Sequence, residues 1–156
     1  MQHDPTDKAK VTALPPLILA GFLALGFVLD RMRPVTFLPR TLALVIGILV
    51  TLCGISLGLL AVRDMVRAKT ALDPRKPTTE IVTSGVFQFS RNPIYFGMVL
   101  LCLGAGFLLD SLWFLALCVP LAVVLQKGVI EPEEAYLERK FGGKYLRYKT
   151  KVRRWL

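Results

Sequence analysis

A cluster of carboxylates stands out in the second half of the chain. Four of the eleven acidic residues fall within residues 131–138, in a tail that is otherwise strongly basic. Glu133 and Glu134 follow Pro132, and a proline followed by acids is typical of a helix start. Paired carboxylates beside a membrane can bind hydroxyl groups or offset a cation. The alternative is that these acids only complement the helix dipole.

A second group of polar and aromatic residues lies in residues 90–97, which read Ser-Arg-Asn-Pro-Ile-Tyr-Phe-Gly. Pro93 is well placed for the first turn of a helix. Arg91 and Tyr95 are four residues apart and can share one helix face. A guanidinium there could orient a carboxylate through two parallel hydrogen bonds. The alternative is an ordinary arginine and tyrosine at a membrane–water interface.

Several other chemistries lack the residues they need. The only histidine is His3, near the start of the chain. The cysteines Cys53, Cys102 and Cys118 stand alone within apolar runs, and none belongs to a Cys-x-x-Cys pair. The sequence therefore predicts no metal site, no disulfide framework and no histidine-based catalysis.

The elements that must position these side chains are apolar. Hydrophobic residues make up 54% of the 156 residues, and the charges collect between long uncharged runs. A bilayer span needs about 20 apolar residues. Four spans are predicted, at about 11–29, 41–62, 92–109 and 111–130. The last two are separated by Asp110 alone and are predicted to form a tight hairpin, with Lys127 reaching the membrane surface.

This pattern predicts an all-α fold, in which residues 1–156 form one integral-membrane domain of four helices. The predicted domain also contains a cytoplasmic loop at 63–91 and a cytoplasmic tail at 131–156, which carries a C-terminal helix. The alternative, a soluble bundle, leaves too little polar surface to cover four apolar runs. Seventeen of the 20 basic residues lie in the N-terminus, the loop and residues 127–156. The positive-inside rule then predicts that both termini are cytoplasmic, at the inner membrane if the cell is bacterial.

The motifs of residues 79–156 resemble the isoprenylcysteine carboxyl methyltransferase family and the related phospholipid methyltransferases. The matching pieces are Val-Thr-Ser-Gly-x-Phe at 82–87, Ser-Arg-Asn-Pro-Ile-Tyr-x-Gly at 90–97 and Glu-Glu-x-x-Leu-x-x-x-Phe-Gly-x-x-Tyr-x-x-Tyr at 133–148. Their order and spacing are specific as a set. Asn92 departs from the histidine of the eukaryotic motif. The proline that the family usually has near the C-terminal end is absent, and Trp155 and Leu156 stand there instead.

The resemblance implies a membrane methyltransferase that uses S-adenosylmethionine at the cytoplasmic face. By position in the motifs, Arg91 is the candidate for orienting the reacting groups. The residues implied to bind the cofactor are Asn92, Pro93, Tyr95, Gly104, Gly106, Glu133, Glu134, Tyr145 and Tyr148. For the two glycines, close helix packing is the alternative interpretation.

Other questions stay open at this level. The resemblance extends to sterol-reductase-like enzymes, so NADPH is an alternative cofactor, and a non-enzymatic four-span protein is a third possibility. The expected substrate is lipophilic, either a carboxylate or another nucleophile, and membrane lipids are the expected surroundings rather than nucleic acid. Gly54 and Gly58 form a Gly-x-x-x-Gly that could pack within the chain or between two copies.

Overall fold

The computed structural model describes residue 9, residues 11–73 and residues 75–156, so His3 lies outside the described residues. All regular secondary structure among the described residues is helical, with no β-strand. Its α-helices are α1 (Pro15–Met32), α2 (Arg40–Arg67), α3 (Pro93–Leu108), α4 (Leu112–Leu125), α5 (Glu131–Phe141) and α6 (Gly143–Lys151). A 3-10 turn (Gly85–Gln88) precedes α3, and a π-helical turn (Gln126–Ile130) joins α4 to α5.

Three helices are long and apolar enough to cross a membrane: α1, α2 and the continuous helix Leu112–Phe141. The predicted all-α class is therefore confirmed for the described residues, which contain three candidate membrane spans. The third predicted span corresponds to α3, which is apolar but has only 16 residues. The four-span count and the hairpin crossing by α3 and α4 stay predictions.

Glycines let α2 and α3 approach closely. A Cβ added to Gly97 would lie 2.9 Å from the Gly54 carbonyl oxygen, and one added to Gly47 would lie 2.7 Å from the Leu108 nitrogen. These pairs run in opposite directions along the two helices, which are therefore antiparallel. Gly54 packs within the chain, whereas a Cβ on Gly58 would meet nothing within 4 Å.

The two connections at one end of the bundle are tied together; we call this the Asp110 end. The Asp110 carboxylate accepts hydrogen bonds from the backbone amides of Phe37 and Leu38, both at 3.1 Å. The Trp113 indole donates to the Arg33 carbonyl at 2.7 Å. Asp110 itself has φ +49°, a left-handed conformation that Asp tolerates better than most residues. These contacts fix the α3–α4 turn against the α1–α2 connection.

The acidic segment continues the fourth apolar run without a break. Pro132 was expected to start a separate helix, but the helix runs uninterrupted from Leu112 to Phe141. Pro132 has no amide hydrogen to donate to Gly128, four residues before it, and the Gly128 carbonyl accepts the Thr12 amide at 2.9 Å. The helix ends before a glycine pair: α5 ends at Phe141, and Gly142 has φ +50°.

Candidate functional site

The opposite end of the bundle gathers most of the predicted site residues; we call this the Arg91 end. Here the last turn of α2, the 3-10 turn, the start of α3 and the first turn of α5 converge, and α6 folds back over them after Gly142. They enclose a cavity of about 70 Å³. Its lining includes six of the predicted residues: Arg91, Asn92, Glu133, Glu134, Tyr145 and Tyr148.

Glu134 is held between two arginines. Arg154 donates to both of its carboxylate oxygens, at 3.1 and 2.8 Å, while Nη2 of Arg91 lies 3.2 Å from Oε1. The Arg91 and Glu134 side chains are 8% and 7% exposed, so this ion pair is largely removed from water. Breaking such a pair from one side leaves a buried charge without a partner, which costs about 3–5 kcal/mol. The pair therefore fixes the guanidinium of Arg91 in one place.

Two guanidinium nitrogens of Arg91 have no hydrogen-bond partner among the described residues. These atoms, Nε and Nη1, are buried. Buried donors without a partner are rare in folded proteins, so these two atoms are candidates to bind a ligand. The Nε and Nη1 hydrogens point along different edges of the guanidinium, so each can donate its own hydrogen bond to a ligand oxygen. Arg91 can therefore bind an anion while it remains paired with Glu134.

Glu133 lies beside Tyr95, whose hydroxyl donates to Oε2 at 2.7 Å. Desolvation raises the pKa of Glu133 above its usual value of 4.5, and neighbouring Glu134 adds to the shift, while the Tyr95 hydrogen bond opposes it. No cation lies within ion-pair distance of Glu133 among the described residues. Glu133 is thus the carboxylate of the pair with oxygen lone pairs free for a ligand's hydroxyl groups.

Two tyrosines of α6 form an aromatic wall. The rings of Tyr145 and Tyr148 meet edge to face, with centroids 6.2 Å apart. Tyr145 is 2% exposed, and the Tyr148 hydroxyl donates to the Phe87 carbonyl at 2.7 Å. Burial raises the pKa of both phenols well above 10, so both are neutral at physiological pH. Neutral aromatic rings attract a cation through their faces.

The last residues of the chain cross the start of α3; we call residues 152–156 the C-terminal strap. The Arg91 backbone amide donates to the Arg153 carbonyl at 3.0 Å, and the Asn92 side-chain amide donates to the Arg154 carbonyl at 2.9 Å. The Trp155 indole donates to the Gln126 side chain at 3.0 Å. Asn92 therefore holds the strap with its amide, while Pro93 begins α3 as predicted.

Gly104 and Gly106 do not join this site. Gly104 lies about 16 Å along the helix axis from Pro93, at a rise of about 1.5 Å per residue. A Cβ there would come within 2.3 Å of the Thr51 hydroxyl of α2, and one on Gly106 within 2.2 Å of Leu115 of α4. Both glycines serve close helix packing, so the cofactor role suggested for them is not carried into the proposed site.

Sequence reasoning missed the partners that complete the site. Arg154 pairs with Glu134 only because Gly142 reverses the chain, which no local pattern indicates. Asp64, near the end of α2, accepts the Val86 amide at 3.2 Å and leaves no room for a side chain at Gly85. This contact positions the 3-10 turn that carries Phe87 into the cavity.

An apolar groove lies beside the site, on the outer surface of the bundle. It has a volume of about 340 Å³ and lies between α1, α2 and α3, with Leu19, Leu23, Gly58 and Leu101 among its lining. Ile94 lines this groove and also a smaller cavity that reaches Arg91, Tyr95 and Glu133. The groove and the polar site are therefore neighbours at the start of α3.

Comparison with known proteins identifies the family of this chain. The family model described as phospholipid methyltransferase matches residues 42–144, which include α2 to α5 and the start of α6. An uncharacterized protein of Haemophilus influenzae is 59% identical over 34 residues, which are 22% of this chain and 54% of that relative. The match thus spans about half the length of the relative. No solved structure gives a significant match. The chain belongs to the phospholipid methyltransferase family, whose members are methyltransferases of membranes.

Proposed function

We propose that this chain is an S-adenosylmethionine-dependent methyltransferase that acts on a lipophilic substrate at the membrane surface. The observation that carries the proposal is the Arg91 guanidinium, which is fixed by Glu134 but keeps two buried donors free. They lie in one cavity with the Glu133 carboxylate and the ring of Tyr145. An anion site, a hydroxyl site and an aromatic wall suit the carboxylate, ribose and cationic sulfonium of this cofactor.

Each side chain then has a distinct role. Glu133 accepts hydrogen bonds from the ribose hydroxyls, as acids do in dinucleotide sites. Arg91 binds a carboxylate, and Glu134 and Asn92 position Arg91 and the strap around it. The faces of Tyr145 and Tyr148 stabilise positive charge by about 0.5–2 kcal/mol. When bound, S-adenosylmethionine supplies a methyl group on a sulfonium, a good leaving group for in-line displacement.

Positioning explains how this site can work without a histidine or a metal. An anionic acceptor needs no base, so alignment of the two reactants supplies much of the rate enhancement. The apolar groove beside Ile94 would hold the acceptor's hydrocarbon chain, and the absence of a side chain at Gly58 leaves space for it. The acceptor would reach the polar site from the bilayer, and the cofactor from the cytoplasm.

The proposal includes a movement of one wall. A cavity of about 70 Å³ is smaller than typical ligand pockets of about 300–1,000 Å³. The wall is formed partly by residues 70–71, 78 and 80–82. The Thr78 amide donates to the Tyr136 hydroxyl, and the Thr79 hydroxyl donates to the Lys69 carbonyl. These few contacts can be exchanged when the cofactor enters.

Calorimetric titration of the detergent-solubilised protein with S-adenosylhomocysteine tests the proposal, with NADPH as a parallel ligand. We expect the product to bind at micromolar concentrations and NADPH not to bind. Glu133→Ala/Glu134→Ala should abolish binding, whereas Asp30→Ala/Glu138→Ala, which removes the same charge outside the cavity, should not.

A folding control keeps the result interpretable, because loss of Glu134 leaves two arginines without their partner. Glu133→Gln/Glu134→Gln preserves side-chain volume, and thermal unfolding shows whether each variant is folded. Undiminished binding by a folded glutamine variant would show that the two carboxylates do not bind the ligand. Binding of NADPH in place of S-adenosylhomocysteine would favour a reductase.

A further inference from the structure

A second concave surface lies on the outer side of α6, away from the cavity. Lys144, Arg147 and Lys151 recur three and four residues apart along this helix and so share one face. Thr83 and Gln88 form the opposite wall. We call this surface the basic groove; its volume is about 500 Å³, and Tyr148 and Val152 complete its lining.

The basic groove carries positive charge that is nearly unopposed. No carboxylate is among its described lining residues. Arg147 and Lys151 form no ion pair within the described chain, and Lys144 has only a 3.8 Å contact with Glu80, both side chains being more than half exposed. Such exposed pairs are worth little. By contrast, Lys149 on the other side of α6 is paired with Glu138. The groove therefore presents three cations with donors free for an anion.

The position of the groove suggests which anion. Gln88 lies in its wall, and the next residue, Phe89, is 73% exposed just before α3 begins at Pro93. Exposed apolar side chains beside lysine and arginine are typical of segments that lie in the headgroup region of a bilayer. A soluble anion would gain nothing from Phe89.

We propose that the basic groove binds the phosphate of an anionic phospholipid headgroup, with Phe89 inserted toward the acyl chains. Lys144, Arg147 and Lys151 donate to the phosphate oxygens, and the Thr83 hydroxyl and Gln88 amide are available to headgroup hydroxyls. This site is separate from the cofactor cavity, although Tyr148 borders both. It does not depend on the methyltransferase proposal, because lipid binding is measured without cofactor.

The test uses the full chain in a neutral detergent and native mass spectrometry to count bound lipids. Phosphatidylglycerol is the anionic probe and phosphatidylcholine the zwitterionic one. We expect the first phosphatidylglycerol to bind about tenfold or more tightly than phosphatidylcholine. In Lys144→Gln/Arg147→Gln/Lys151→Gln this preference should disappear, because each cation near an anionic headgroup contributes about fivefold.

A matched control separates a built site from general charge attraction. Arg67→Gln/Lys76→Gln/Arg139→Gln removes three exposed cations that lie outside the groove, and it should keep the preference. Equal losses in the two triple variants would overturn the proposal, as would an unchanged preference in the groove variant. If the groove variant does not fold, Arg147→Gln/Lys151→Gln replaces it, with an expected loss of several fold.

A competition arm distinguishes the source of the phosphate. Inorganic phosphate at tenfold molar excess should leave phosphatidylglycerol bound, because a free ion lacks the contacts of the acyl chains. Displacement of the lipid by inorganic phosphate would assign the groove to a soluble anion and would contradict the lipid site.

Discussion

The two ends of the helical bundle use charged side chains in different ways. At the Asp110 end, one carboxylate accepts two backbone amides, from Phe37 and Leu38, and joins two connections. At the Arg91 end, the carboxylates pair with side chains, and two guanidinium donors remain without a partner among the described residues. The Asp110 carboxylate is thus used by the fold itself, whereas the Arg91 guanidinium is fixed in place with donors still available, as its proposed role in ligand binding requires.

The largest effect is expected at Arg91. Arg91→Lys keeps the positive charge but loses the unpartnered Nε and Nη1 donors. Hydrogen bonds to charged groups are worth about 1.5–3 kcal/mol each, so affinity for S-adenosylhomocysteine should fall about 100-fold in calorimetry. Arg40→Lys is the control, because Arg40 donates to the Leu108 carbonyl at the Asp110 end. Equal losses in both variants would remove the distinction between the ends.

The aromatic wall should give the next largest effect. Tyr145→Leu/Tyr148→Leu keeps an apolar surface but removes both rings and the hydrogen bond to Phe87. We expect affinity for S-adenosylmethionine, which is cationic at sulfur, to fall about tenfold by calorimetry, in line with cation–π energies of about 0.5–2 kcal/mol. Tyr136→Leu, which changes a tyrosine of α5, should have a smaller effect. If Tyr136→Leu costs as much, the wall has no special role.

A smaller effect is expected from acidification. The pKa of Glu133 is raised, so this carboxylate becomes protonated at a higher pH than an ordinary glutamate. The ionised form accepts the ligand's hydroxyl groups, so binding is complete above the raised pKa and weakens as pH falls through it. Calorimetry between pH 7 and pH 5 should show affinity falling several fold. Glu133→Gln should flatten this dependence; a steep dependence that persists in the variant would exclude Glu133 as its source.

The smallest effect on binding is expected at the Asp110 end. Asp110→Ala removes the acceptor of two amides and places alanine at φ +49°. The free energy of unfolding should fall by about 1–3 kcal/mol, visible as a lower unfolding midpoint. Affinity for S-adenosylhomocysteine should stay within about twofold of the unchanged protein. A large loss of affinity in a folded variant would show that the two ends are coupled.

Local sequence pattern predicted the helices well because apolar runs and their flanking residues are local signals. Pro93 begins α3, Gly142 ends α5, and the runs correspond to α1 to α4. The pattern did not predict features that depend on packing between helices. Gly104 matched a cofactor motif, yet its neighbour across the interface is Thr51. Only the folded chain shows which helix a small residue faces.

The candidate site was predicted in part for the same reason. Arg91, Glu133 and Glu134 could be singled out by type and spacing, and the structure brings them into one cavity. The pairing of Glu134 with Arg154 could not, because it depends on the reversal at Gly142 and on the strap crossing α3. Contacts between distant residues leave no trace in local periodicity.

The π-helical turn Gln126–Ile130 gives the chain an unusual sensitivity to length. A π turn is an α-helix with one residue inserted, and each residue rotates the following helix by about 100°. Deleting one residue there, such as Gly128, would restore an ordinary helix and swing Glu133 and Glu134 away from Tyr95 and the arginines. The direction of the two carboxylates is thus determined by residue count as well as residue identity. Deletion of one residue in this turn is therefore expected to abolish ligand binding at the proposed site, although each of its side chains remains in the sequence.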